Sequence, residues 1–200
     1  DMATGYKNVT TEVTKASYMY AINSSRLAKK AKSSDELTAF QEKAAAQKEN
    51  DRIKQNIYVN GYASPDGEQD LNAKLADARQ AKSQKHLQKQ LKKAKVNATI
   101  ESNITAEDWA GFQAAMEASN IQDKELVLRV LSMYSDPEER EAQIKNLSAV
   151  FKTIAEEVLP ALRRSRLILT TDLIGKSDEE IAALAANDAA ALNVEELLYA

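Results

Sequence analysis

An α+β fold, a mixed sheet of about four strands with helices on one face, is what the order of elements along this 200-residue chain predicts. Three observations carry that expectation. Alternating segments rich in Val, Ile, Thr and Tyr recur at Val9 to Asn23, Ile53 to Tyr62, Val96 to Ile104 and Arg163 to Ile174. Capped helical stretches separate them. The long segment between the third and fourth strands is helical in its own right, too structured for a loop.

Taken in order, Tyr18 and Tyr20 alternate around Met19 in the first strand, which a second strand is free to precede. Ser34 before Asp35 and Glu36 caps a helix running to about Asn50. In the second strand Ile57 and Val59 alternate with polar residues, and Ser64-Pro65-Asp66-Gly67 ends it with strong turn chemistry. A long helix spans about Glu68 to Lys93, and Val96, Ala98 and Ile100 then alternate in the third strand. From Thr105 an insertion of three helices is expected, over about 105–160. The first is capped at Thr105 and carries Trp109, Phe112 and Met116. The second covers Asp123 to Met133. The third starts at Asp136-Pro137 and continues to about Leu159. Gly175 stops the last strand, and Ser177-Asp178-Glu179-Glu180 opens a helical tail with a capping-box pattern. Asn193 to Ala200 reads as the first turns of another helix. The domain is therefore placed at 9–174 and the tail at 175–200.

Composition bounds the chemistry. Hydrophobic residues at 44% and charged residues at 28% are ordinary for a folded soluble domain. A net charge of −3 does not advertise nucleic-acid binding. The absence of cysteine removes disulfides, thiolate nucleophiles and Cys-based zinc sites. No apolar run approaches the length of a membrane span. The chain begins at Asp1 rather than Met, as a processed protein or a fragment would. No nucleophile elbow, phosphate-binding glycine loop or His-rich metal motif is present, so no enzymatic activity, cofactor or metal is expected. Glu138-Glu139 and Glu156-Glu157 are helix-surface acids without a positioned partner; a glycan-cleaving enzyme built on paired carboxylates is the weakest reading.

The informative segment is Tyr58-Val-Asn-Gly-Tyr-Ala-Ser-Pro-Asp-Gly-Glu-Gln-Asp-Leu-Asn-Ala-Lys-Leu-Ala-Asp-Ala-Arg79. It resembles the OmpA-like, peptidoglycan-binding domain family, in which a strand ends in Gly-His-Thr-Asp and a glycine turn leads into Asn-x-x-Leu-Ser-x-x-Arg-Ala. Gly61, Gly67, Asn72, Leu75 and Arg79 match that pattern, and Leu87 falls on the closing leucine of the helix. Downstream, Arg163-Arg164 stands where the family has Asn-Arg-Arg before its last strand, with Leu162 in place of the Asn. Tyr20-Ala-Ile-Asn23, Ser25 and Leu27 also fit, so the resemblance covers about 18–104 and 162–172. Tyr62, Ala63 and Ser64 replace the family's His-Thr-Asp, and Asp66 restores the missing charge if the Pro65 turn directs it inward. This variant resembles an OmpA-like branch that also carries the helical insertion.

The resemblance implies a βαβαβ-type fold and a non-catalytic cell-envelope module, periplasmic or associated with the outer membrane, whose ligand is the peptidoglycan stem peptide. It implies a ligand-binding set of Arg79, Arg164, Asp66, Ser64, Asn72 and Tyr62, with a guanidinium for the peptide carboxylate and a carboxylate for its ammonium. The turn before a helix N-terminus would add free N–H donors. The alternative is a protein-interaction scaffold of the envelope that has lost peptidoglycan binding, the insertion serving other envelope proteins; Ser64 in place of Asp favours it. The tail resembles the approach to a helical-repeat region beyond Ala200.

Each singled-out residue also has a plainer role open to it. Arg79 can pair with Asp77, Asp66 or a strand end, and Asn72 can tie the turn to its helix. His86, the only histidine, is expected to face the sheet beside Leu87. Trp109, Phe112 and Met116 have the spacing of a packing stripe. The helix from Lys74 to Lys95 carries eight cations against Asp77, which suits either attraction of an anionic polymer or lipid headgroup, or a solvated outer face.

Overall fold

The computed structural model describes residues 9–48 and 50–199. Its four strands are β1 (Val9–Met19), β2 (Ile53–Tyr62), β3 (Thr99–Thr105) and β4 (Arg164–Ile174), in the spatial order β1-β4-β2-β3. β4 runs antiparallel to both β1 and β2, whereas β2 and β3 are parallel and joined by a helical crossover. The mixed α+β sheet expected from the sequence is thus present. Any strand before Val9 lies outside the described residues.

One face of the sheet is covered. Ala16 and Tyr18 of β1, Ile57 and Val59 of β2, and Leu167 and Leu169 of β4 point the same way. They meet Leu37, Phe40 and Ala44 of α2 (Asp35–Ala46) and Leu87 and Leu91 of α3 (Gln69–Lys93) in a single core. A one-turn helix, α1 (Lys29–Lys32), precedes α2. The Ser34 hydroxyl caps α2 by accepting from the Leu37 N–H at 3.3 Å, and α2 ends at Ala46, short of Asn50.

Gly61 explains how close α3 comes to the sheet. A Cβ there would sit 2.2 Å from the Ala76 carbonyl, so only glycine lets the helix lie directly on the end of β2. α3 closes with a Schellman motif. Val96 donates its N–H to the Leu91 carbonyl and Lys95 donates to that of Lys92, with Lys95 in the left-handed region at φ 56°. That closure takes up Val96, and β3 begins at Thr99 rather than Val96.

The insertion has its own core, built by Phe112, Met116, Val127, Leu131, Ile144, Ile154 and Leu159. It contains α4 (Trp109–Ala118), α5 (Lys124–Met133), α6 (Pro137–Asn146) and α7 (Ser148–Glu157), then a 3-10 turn at Leu159–Leu162. The stretch expected as one helix from Asp136 to Leu159 is divided at Leu147, whose ψ of 59° leaves the helical region. The division lets α6 and α7 both face the same small core. The expected cap at Thr105 is also displaced. Thr105 finishes β3, and the Asp108 carboxylate caps α4 instead, accepting from the Gly111 N–H at 2.9 Å. A serine, Ser177, caps α8 (Asp178–Asn187) as expected, accepting from the Glu180 N–H at 3.1 Å.

The last helix is α9 (Val194–Tyr199). Its start is a reciprocal capping box: Asn193 N–H donates to Glu196 and Glu196 N–H donates to the Asn193 side chain. The end of that reading, Ala200, is outside the described residues. Among the described residues no helix is long and apolar enough to cross a membrane.

Candidate ligand-binding rim

The carboxyl end of β2 gathers the sequence-distant residues of interest. Tyr62 is the last residue of β2, Ser64 to Gly67 form the following turn, and Asn72 and Arg79 lie in the first turns of α3. Arg163 directly precedes β4 and Arg164 opens it, and the strand pairs Ser165 with Gly61. The β1 strand ends beside them at Met19 rather than Asn23, because residues 20–24 turn across the base of α3 and Asn23 adopts φ 50°.

Arg79 holds that turn in place. Its side chain is only 1% exposed. Nε donates to the Ser24 carbonyl at 2.9 Å, Nη1 to Tyr62 at 2.9 Å and Nη2 to Ala21 at 3.1 Å. The guanidinium also lies 5.5 Å from the Tyr20 ring. Tyr20 returns the contact, donating its hydroxyl to the Arg79 carbonyl at 3.0 Å. Of the plainer partners open to Arg79, the strand end is the one it bonds. Burial, then the nearby Arg163 charge, lower the Arg79 guanidinium to about 10, which leaves it fully protonated at neutral pH.

Asn72 is buried and donates to the Gly67 carbonyl at 3.4 Å, closing the turn in which Gly67 takes φ 113°. Ser64 is buried. Tyr62 is half-buried, with the Arg164 guanidinium stacked 4.3 Å above its ring. Arg164 Nη1 pairs with Asp108 Oδ2 at 3.1 Å, and Asp108 is thereby both helix cap and counter-charge. Asp66 is half-buried, and its Oδ1 is buried with no hydrogen-bond partner among the described residues.

Two residues at this rim were not among those picked out for ligand contact. Arg163 is 9% exposed, and its Nε is likewise buried and unpaired among the described residues. Asp108 is the partner of Arg164. Arg163 stood in the Arg163-Arg164 pair, but alternation along a strand gives no sign of which arginine turns inward. Asp108 carries no sequence signal that would pair it with Arg164, far from it along the chain.

The rim is electrically divided. Beyond Asp66, a cleft of about 400 Å³ is lined by Gly67, Glu68, Gln69, Asp70, Glu107, Glu138 and Glu141. The Glu107 carboxyl is held above the usual carboxylate range, mainly by burial and then by the charges of Glu141, Asp136 and Glu138; its bond from the Trp109 indole opposes this. Glu141 also accepts the Gly67 N–H at 2.8 Å, tying α6 to the turn. Acids thus occupy one flank and Arg163 with Arg164 the other.

Outside the rim, His86 accepts or donates a 2.8 Å bond with the Tyr18 hydroxyl and faces the sheet. Trp109 packs edge-on to Phe112, under the Arg140 guanidinium.

No family model and no curated protein matches the chain.

Proposed function

We propose that the chain is a non-catalytic, OmpA-like module of the bacterial cell envelope that binds the peptidoglycan stem peptide at the rim formed by Asp66, Tyr62, Arg163 and Arg164. The observation that carries this reading is the pair of buried, unpaired charged atoms there, Asp66 Oδ1 and Arg163 Nε. Buried polar atoms without partners are costly and few in native folds, so their concentration at one site favours a ligand that completes them. A zwitterionic head group matches the division of charge. Its ammonium suits Asp66 and the acidic flank, and its carboxylate suits the two arginines. Arg79 serves this site from beneath, holding the 20–24 turn and the end of β2.

Pelleting with purified sacculi tests the reading. The wild-type domain is expected in the pellet, and Asp66→Asn with Arg164→Gln is expected to lower the bound fraction at least tenfold. Equal retention of both proteins in the supernatant would remove wall binding through this rim.

A second reading, a protein-interaction scaffold of the envelope, is favoured by one observation: the arginine that matches the family's ligand residue is spent on three backbone carbonyls. It predicts no sacculus binding and capture of an envelope protein that is lost when the insertion surface is altered.

A further inference from the structure

We propose that the outer face of α3, together with α1, is a docking surface for an anionic lipid bilayer. In the second half of α3, Lys82, Lys85, Lys89, Lys92 and Lys93 are all exposed. At 100° per residue they fall within an arc of about 100°, on the side away from the core residues Ser83, Leu87 and Leu91. α1 adds exposed Lys29, Lys30 and Lys32. No acid occurs between Ala78 and Ile100 or between Ala21 and Ser34. Among the described residues none of these eight lysines forms an ion pair. A solvated helix face usually interleaves both signs; this one does not.

The two segments form one surface. Arg79 bonds the Ala21 and Ser24 carbonyls, which fixes the approach to α1 alongside α3. Further along, Lys32 of α1 and Lys89 and Lys93 of α3 act together on His86, helping burial to hold its ring below the usual histidine range. The acids of α3, Asp70 and Asp77, lie in its first half, toward the acidic cleft. A protein of net charge −3 therefore presents one strongly cationic side.

The shape of the patch selects the partner. Its lysines come from both the second half of α3 and the single turn of α1, a spread of charge that suits a plane rather than a single thread. Its cations are mainly lysines, compact charges that need no bidentate geometry. Neither α1 nor α3 carries a Phe, Tyr or Trp on which a nucleobase could stack, and the His86 ring is turned to Tyr18 of the sheet. Ile22, 58% exposed in the loop that Arg79 holds, adds an apolar side chain at the margin, where a bilayer interface can accept it.

This surface does not rest on the wall-peptide reading. Its test is cosedimentation with phosphatidylcholine vesicles, with and without phosphatidylglycerol. The chain is expected to bind only the phosphatidylglycerol vesicles. Partition should fall at least tenfold in Lys82→Gln/Lys85→Gln/Lys89→Gln/Lys92→Gln, with unchanged far-ultraviolet circular dichroism, and fall similarly when salt screens the charges. Three results would each overturn the proposal: equal partition of wild type and the quadruple variant, equal binding to both vesicle types, or preference for soluble polyphosphate over phosphatidylglycerol vesicles at equal phosphate.

Discussion

At the residue scale, Arg79 is the side chain on which the rim depends. It is long enough to bond three carbonyls that diverge from one another, and its planar fork does so in fixed directions. Arg79→Met leaves those carbonyls without their donor, and a loss of about 3 kcal/mol or more is expected in urea unfolding. Arg79→Lys should recover little, since a single ammonium cannot serve all three. Gly61 makes a comparable demand. Gly61→Ala would press a methyl against the Ala76 carbonyl, and a cost of about 3 kcal/mol is expected by the same measurement. Of Arg79's partners only the strand end was legible in the sequence; the Ala21 and Ser24 carbonyls and Arg163's burial were not. Carbonyls at 21–24 carry no side-chain signature, and a motif can mark an arginine without saying whether it faces ligand or backbone.

At the element scale, local chemistry was the most readable part. The Ser34 and Ser177 caps and the Pro65-Asp66-Gly67 turn lie where short-range rules place them, because a cap needs only a hydroxyl three residues before a free N–H. The elements that shifted lack such markers. Leu147 breaks α6 from α7 without Gly or Pro, in the interest of packing two faces on one core. Lys95 closes α3 from a left-handed conformation that costs a lysine about 1 kcal/mol relative to glycine. Lys95→Gly is accordingly expected to stabilise the domain by about 0.5–1 kcal/mol in thermal or urea unfolding; a destabilisation would mean that the Schellman closure is not formed. Asp108→Ala should cost about 1–2 kcal/mol as a lost cap. It should also free Arg164, a double consequence that Ser34→Ala, a cap alone, lacks.

At the scale of the whole molecule, the order of strands, helices and insertion was legible because periodicity and caps separate elements even where their ends move. How the sheet is ordered and what converges at the end of β2 are long-range matters, and there the two separated motifs were the only guide. Titration offers a global check. Burial raises the Tyr18 and Tyr20 hydroxyls above their usual value, so folding favours the neutral phenols. That contribution is complete below about pH 10 and is lost as pH rises beyond it. His86 is lowered, so folding favours its neutral ring; its contribution is present above about pH 6.5 and is lost as pH falls. Melting temperature followed against pH should therefore decline on both sides. Tyr18→Phe should soften the alkaline limb and His86→Gln the acidic one.

On the proposed function, the rim of Asp66, Tyr62, Arg163 and Arg164 receives a zwitterionic wall peptide. Amide chemical-shift mapping with a soluble stem peptide ending in diaminopimelate tests it most directly. Saturable shifts centred on 61–67 and 163–165, abolished by Asp66→Asn, are the predicted result. Shifts that are absent, or confined to the insertion or the lysine face of α3, would contradict it.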